Sequence, residues 1–260
     1  MNILVFDIET VPDTEGGARI LGLKDLSKKD IIKAMEHTQF QKSGTMFQPL
    51  HLHKIVAISV LYKNIFDKND KISLLSLGNE DSKEAEILKL FFNVIDKYQP
   101  QIISWNGKGF DSPVIHYRSL YHGISSIKYW DKGGDDRDFK WNNYLNRYHD
   151  RHLDLMDVLS GYKKPASLSD IAQLIGAPGK YGIDGSFVTD YYLENNIKEI
   201  RDYCETDVLN TYLVFLRYQL ISNSISKKTY DKLLDELFNL LDKSDKAHWK
   251  EFSSLCEKYL

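Results

Sequence analysis

Apolar positions fall into short β-type runs early in this chain and into helical stripes later. Ile3 to Phe6 is an unbroken apolar run, the pattern of a strand buried on both faces in the middle of a sheet. Lys54 to Leu61 and Lys71 to Leu77 alternate with β-branched residues across the turn-rich Asn64 to Asp70, which predicts a hairpin beside the first strand. The long polar connection from Thr10 to about His53 holds one helix start, with Ser27 as N-cap, Asp30 three residues on, and Ile31, Ile32 and Met35 as its apolar stripe. Ser82 to Tyr98 repeats Ala85, Ile87, Leu88, Phe91, Phe92 and Ile95 at helical spacing and is stopped by Pro100. Gln101 to Trp105 predicts a fourth strand and Val114 to His122 a helix. Residues 123–151 read as irregular, broken at Gly133-Gly134 and Asp135-Asp136, before a short fifth strand at His152 to Met156. Ser167 caps a helix to Ile175 that Gly176 closes. A glycine-rich loop follows at 179–185, then helices at about 187–195, 197–222 and 226–259, the last stretch with Leu233, Leu234, Leu237, Leu240 and Leu241 on one side.

Strands first, then strand and helix in alternation, predict an α/β fold with a five-stranded mixed sheet and helices on both faces. The expected organisation is one domain over 1–222, with a C-terminal helical extension over 223–260 packed on it. The composition, 42% hydrophobic and 27% charged over 260 residues, suits a soluble protein with a sizeable core. A net charge of -3 excludes a surface that is basic as a whole, so any nucleic-acid partner must be met by local groups. Two cysteines, Cys204 and Cys256, exclude a disulfide scaffold or a zinc-finger count and suit a reducing cytosol. No run approaches the roughly 18 apolar residues of a membrane span, and no basic-then-apolar leader is visible. The expected location is the cytoplasm.

The candidate chemistry starts with Asp7 and Glu9. Two apart in an extended chain, they share one side of the strand, and two anions so close need a cation between them. Oxygen-only ligands suit Mg²⁺ or Mn²⁺; taken alone, the pair also reads as a plain strand end. Asp111 stands where a strand hands over to a helix, at the carboxyl edge of the sheet where such folds place their sites, and alone it also reads as a helix-capping residue. Tyr203 and Asp207 are four apart and share a helix face, although a core tyrosine and a solvated aspartate account for the spacing equally.

Taken in order, Asp7-Ile-Glu-Thr10, Trp105-Asn-Gly-Lys-Gly-Phe-Asp111 and Tyr203-Cys-Glu-Thr-Asp207 resemble the three exonuclease motifs of the DnaQ-like 3′–5′ exonucleases. The tyrosine four places before the last aspartate matches the DEDDy branch, and Asp202 excludes the branch with histidine five places before it. More narrowly, the chain resembles predicted exonucleases related to the proofreading domain of family B DNA polymerases. Pro49 to His51, His152 to Leu155, Gly176 to Lys180 and Arg201 to Thr211 also suit that group, over residues 2 to about 222. The resemblance implies a ribonuclease-H-like fold and hydrolysis of phosphodiesters with two divalent ions, Mg²⁺ or Mn²⁺, per site. It implies that Asp7 contacts both ions, Glu9 and Asp207 complete one, and Asp111 holds the other, largely through water. Tyr203 would orient the attacking water, since a phenol titrating near 10 is a poor base at neutral pH.

Thr10 and Asn106 resemble residues lining the terminal nucleotide, and Phe110 is placed to stack on a base. Lys108 and Lys180 are candidates for phosphate contact, with solvated turn lysines as the plain alternative. Cys204 reads as a buried helix residue. Trp130, Lys132, Arg137, Lys140, Trp141, Tyr144, Arg147, Tyr148 and Arg151 form an aromatic and basic stretch that either guides a single strand or packs a long loop. His51, His53, His149 and His152 match no common zinc spacing, and Asp154 and Asp157 are read as binding backbone outside the metal site. The expected substrate is a single-stranded 3′ end, DNA before RNA. The alternatives are an RNA-trimming enzyme with the same site, or a non-catalytic nucleic-acid-binding module.

Overall fold

The computed structural model of the chain describes residues 1–67, 71–134, 136–161, 163–180 and 187–257. Its axis is β1 (Asn2–Pro12), in which Ile3, Leu4 and Val5 are wholly buried and Phe6 nearly so. Then come α1 (Thr14–Leu21), α2 (Lys28–Ser43), β2 (His53–Asn64), β3 (Ser73–Ser76), α3 (Glu84–Tyr98), β4 (Gln101–Ser104), α4 (Asp111–His122) and a single turn, α5 (Asp138–Trp141). The chain continues through β5 (His152–Asp154), α6 (Leu155–Ser160), α7 (Leu168–Leu174), α8 (Val188–Leu193), α9 (Ile197–Ile221), α10 (Lys227–Asp242) and α11 (Ala247–Leu255). The strands form one sheet in the order β3-β2-β1-β4-β5. β2 runs antiparallel to β1 and β3, while β4 is parallel to β1 and to β5. This is the α/β, ribonuclease-H-like arrangement that the sequence led us to expect.

Alternation along β1 sorts its side chains between two layers. Leu4, Phe6 and Ile8 join Phe91, Phe92 and Ile95 of α3 and Val114 of α4 on one face. Ile3 and Val5 join Val208, Leu209 and Tyr212 of α9 on the other. Asp7 and Glu9 continue the odd-numbered series, so they face α9. Near its end the register slips between Glu9 and Thr10, leaving Val56 of β2 as the extra residue, and Val11, Val56 and Ala57 all pack on Ile200, Tyr203 and Cys204 of α9.

The structure corrects the expected boundaries in several places. β1 runs on to Pro12, and the connection read as polar loop holds α1, whose N-cap Asp13 accepts from the Glu15 amide. The expected α2 is present, with Ser27 accepting from Asp30. α4 starts at Asp111 rather than Val114, Pro113 lying in its first turn where a missing amide costs little. α6 follows β5 directly in place of a strand to Met156. The stretch expected as one helical run from 226 is, in its described residues, two helices, α10 and α11, separated at 243–246. Their Leu233, Leu237, Leu241, Trp249 and Phe252 share the core built on α9. Among the described residues no helix is long and apolar enough to cross a membrane.

Two buried ion clusters fix the layers around the carboxyl edge of the sheet. Arg118 of α4 gives Nε and Nη2 to Glu84 at 2.7 and 2.6 Å and Nη1 to Asp13 at 2.6 Å, while Glu84 also accepts the Ile55 amide at 2.7 Å. One guanidinium thus ties α4 to the end of β1, the start of α3 and the start of β2. On the opposite layer, Glu205 of α9 accepts from the Ser76 amide and hydroxyl of β3, from Lys246 Nζ and from Trp249 Nε1, and pairs with His248, all at 2.8–3.0 Å. Burial alone would raise its carboxyl, but His248, Lys246 and Ser76 outweigh that and hold it down at about 2. Arg118→Leu should cost about 3–5 kcal/mol, because Glu84 and Asp13 stay buried without their cation. Urea unfolding measures this, and a loss below about 1 kcal/mol, the scale of an exposed pair, would show that the cluster does not fasten α4.

Candidate active site

The residues that share the odd face of β1 meet the first half of α9. Asp7, Glu9, Asp111, Tyr203 and Asp207 all line one cavity of about 460 Å³ at the carboxyl edge of the sheet. β1 delivers Asp7 and Glu9 by strand parity. The short β4 ends at Ser104, and the loop behind it turns through Asn106 with φ of 62° to start α4 on Asp111. The Asp111 carboxylate accepts the backbone N–H of Ile8, between the two β1 acids. In α9, Tyr203 and Asp207 stand one turn apart, and the phenol is hydrogen-bonded to that carboxylate. Glu9, Asp111, Tyr203 and Asp207 are each at most 9% exposed.

The acids are largely buried and their charges have the same sign, which displaces the titrations of Asp7, Glu9, Asp111 and Tyr203. Burial pushes Asp7 well above the carboxylate range, with Asp111, Glu9 and Asp207 adding to the effect. Glu9 is raised by burial and by Asp207, partly relieved by Lys180. Asp111 is raised by burial and by Asp154 to about 7, despite backbone N–H groups that favour its anion. The Tyr203 phenol is raised by burial and by Asp207, Glu9 and Asp7, so it holds its proton at neutral pH and acts as a donor. Among the described residues Lys180 is the one cation on the cavity wall. Four hard oxygen donors with one ammonium between them form a set that fits divalent Mg²⁺ or Mn²⁺.

The remaining candidates divide. Asn106, Phe110 and Lys180 line the cavity. Phe110 is held edge-on by His53, with ring centroids 5.2 Å apart, and Lys180 Nζ lies 5.8 Å from the Tyr203 ring centre. The rest of the glycine-rich stretch, 181–186, lies outside the described residues. Thr10 is not brought in: one place along from Glu9 it turns to the other face, and its Oγ1 is 2.9 Å from His53 Nδ1. Lys108 also points elsewhere, donating from Nζ to the Arg147 carbonyl at 2.7 Å. The four histidines do not gather: His53 is engaged with Thr10, His149 accepts the Asn143 amide, His152 meets Ser104, and His51 packs on Tyr117. Asp154 does bind backbone, accepting the amides of Asn106, Lys108 and Met156. Asp157 instead pairs with Arg147.

One neighbour was missed. Cys204 donates to the Asp7 carbonyl at 3.4 Å and lies 3.6 Å from Asp7 Oδ2, and its sulfur and the oxygens of Asp7 and Glu9 are all within 4.8 Å of one another. Burial, Asp7 and Glu9 raise its thiol, so it meets the carboxylate as a protonated donor and not as a thiolate ligand. Its position three residues before Asp207 put it on that helix face, which was the available signal.

Residues 45–256 match the protein family described as "Predicted 3'-5' exonuclease related to the exonuclease domain of PolB". The match runs through α10 and α11, past the limit at about 222 expected from the motifs, and starts after Asp7 and Glu9, which the fold brings to the matched residues. The catalytic chain of DNA polymerase epsilon from Saccharomyces cerevisiae is 27% identical over 162 residues, 59% of this chain and 6% of that polymerase.

Raised carboxyls destabilise the metal-free protein. Between the unfolded value near 4 and the folded value of about 7 for Asp111, the native state binds more protons than the unfolded chain. Stability therefore falls as pH rises through that window and stays low above it. Asp111→Asn should stabilise the EDTA-treated protein by on the order of 1–3 kcal/mol at pH 8 and by little at pH 4.5. Urea titration at the two pH values measures the difference; an Asn variant no more stable at pH 8 would show that the cleft is not charge-strained.

Proposed function

Because the chain belongs to the family of predicted 3′–5′ exonucleases related to the exonuclease domain of PolB, we propose that it removes nucleotides from single-stranded 3′ ends, DNA before RNA, by divalent-metal-dependent phosphodiester hydrolysis. The observation that carries this is the convergence of Asp7, Glu9, Asp111, Asp207 and Tyr203 on one cavity. Asp7, Glu9 and Asp207 would hold one ion, and Asp7 with Asp111 the other. Divalent ions in such a cage lower the pKa of a bound water and stabilise the departing 3′ oxygen.

The chain's own groups supply position. Tyr203, kept protonated, is anchored on Asp207 and orients the attacking water through its hydroxyl oxygen. Cys204 donates to Asp7 and fixes that carboxylate's backbone. Lys180, beside Glu9, is placed to meet a phosphate oxygen, and Phe110 offers its ring to the base of the terminal nucleotide. Nothing in the set reads a base edge, so hydrolysis should be indifferent to sequence. The preference for DNA rests on the likeness to a DNA polymerase.

With 5′-labelled single-stranded DNA and RNA in Mn²⁺, a ladder shortening from the 3′ end is expected, faster for DNA. Asp7→Ala should lower the rate by about 10³-fold or more, the loss of several kcal/mol of charge stabilisation. Tyr203→Phe should cost about 10²-fold in kcat, the scale of a misplaced nucleophile. Equal shortening by wild type and Asp7→Ala, or none by wild type, would overturn the proposal.

A further inference from the structure

Beside the carboxylate cavity lies a second one of about 300 Å³, and Asn106 and Met156 line both. That volume is at the small end of ligand pockets, suited to one planar group and not to a peptide or a helix. The partition between the cavities is braced. Asp154, 1% exposed, accepts the amides of Asn106 and Lys108 at 2.8 and 2.9 Å, so the loop that carries Asn106 cannot swing freely across the opening.

The lining is of a different character from the acidic cleft. Tyr129 and Tyr144 stack on each other at 5.6 Å between centroids and 12° between planes. His116 Nε2 is 2.9 Å from the Tyr129 hydroxyl, and His152 stands on the same wall. Burial lowers these two imidazoles to about 4 and about 3, so at neutral pH both are uncharged, His152 buried with its Nε2 on Ser104 and His116 half-buried at the cavity. The cations are Lys108, whose stem lies along the wall, and Arg147, whose side chain is 70% exposed at the rim. A polyanion is repelled by the carboxylates except through bound ions, while this neighbouring hollow joins two tyrosines that are 2 and 3% exposed, a half-buried neutral imidazole and two basic side chains, of which Arg147 is paired with Asp157 on the same wall. A base entering edge-on meets polar partners in such a pocket, and a basic side chain at the rim meets the backbone.

We infer that the second cavity receives one nucleobase of the strand whose phosphodiester lies at the carboxylates, with Arg147 meeting a backbone phosphate. This rests on the exonuclease reading above. It also gives part of the aromatic and basic stretch a role: Tyr144 and Arg147 line the pocket, whereas Trp141 and Tyr148 stand in solvent.

The test is steady-state kinetics of the full chain in Mn²⁺ on single-stranded DNA, either complete or lacking the base at one of the last three nucleotides. Asn146→Ala and Arg147→Ala, both at exposed positions, are compared with wild type after thermal melting shows that each is folded. On complete DNA each should raise KM by about 10-fold, the scale of one lost base contact, with the loss falling on KM rather than kcat. Removing the base at one position should weaken wild type similarly; on that substrate Asn146→Ala should add little more, while Arg147→Ala, which loses a phosphate contact, should keep its own penalty. Unchanged KM in both variants, or an Asn146→Ala penalty that multiplies with base removal at all three positions, would overturn the inference while leaving the exonuclease reading intact. Wild type that hydrolyses neither this DNA nor the p-nitrophenyl ester of thymidine 5′-monophosphate, which reaches only the carboxylates, would overturn both.

Discussion

Four largely buried carboxylates sharing one cavity are the constraint on which the rest of this structure depends. Asp7, Glu9, Asp111 and Asp207 line one cavity, and burial with mutual repulsion raises Asp7, Glu9 and Asp111. Such a cleft is stable only because the surrounding layers are fastened independently of it. Arg118 binds α4 to the ends of β1 and β2 through Glu84 and Asp13. Glu205 binds α9 to β3 and to the residues that open α11. The same helices that suffer the repulsion are thus held from behind by buried ion clusters, and the cleft presents a set of carboxylate oxygens suited to divalent cations.

Backbone geometry sets which groups take part. The odd face of β1 looks toward α9 and the even face toward α3 and α4, so Asp7 and Glu9 are in the cleft and Thr10 is not. The turn after β4 sends Asp111 in from the side, its carboxylate tied to the Ile8 amide. One turn of α9 separates Tyr203 from Asp207, and Cys204 beside them reaches the Asp7 carbonyl. Asp154, left out of the metal set, stiffens the loop between the acidic cleft and the aromatic cavity next to it.

Most of this was legible where local periodicity carried it. The period of two paired Asp7 with Glu9, the helical four-residue step paired Tyr203 with Asp207, and the strand-to-helix handover placed Asp111, but each also read as plain structure until the three motifs in order resembled an exonuclease family. The mixed α/β sheet, with a hairpin beside the first strand, followed from strands preceding alternating strands and helices. Features set by tertiary contact were hidden. Lys108 is turned away by a carbonyl 39 residues along the chain, and the donors that fix Glu205 come from β3 and from 41–44 residues further on. Helix α1 escaped notice because Gly16 and Gly17 dilute its pattern, the latter packed so closely on Met35 that a Cβ would lie 2.3 Å from Sδ. Thr10 stays off the cavity wall because adjacent residues of β1 face opposite sides.

The most direct measurement is Mn²⁺ binding to the full chain at pH 7.5, followed by electron paramagnetic resonance of the free ion. The account predicts about two ions per chain, both weakened in Asp7→Asn and one in Asp111→Asn. Binding of no ion by wild type, or a titration that Asp7→Asn leaves unchanged, would contradict it.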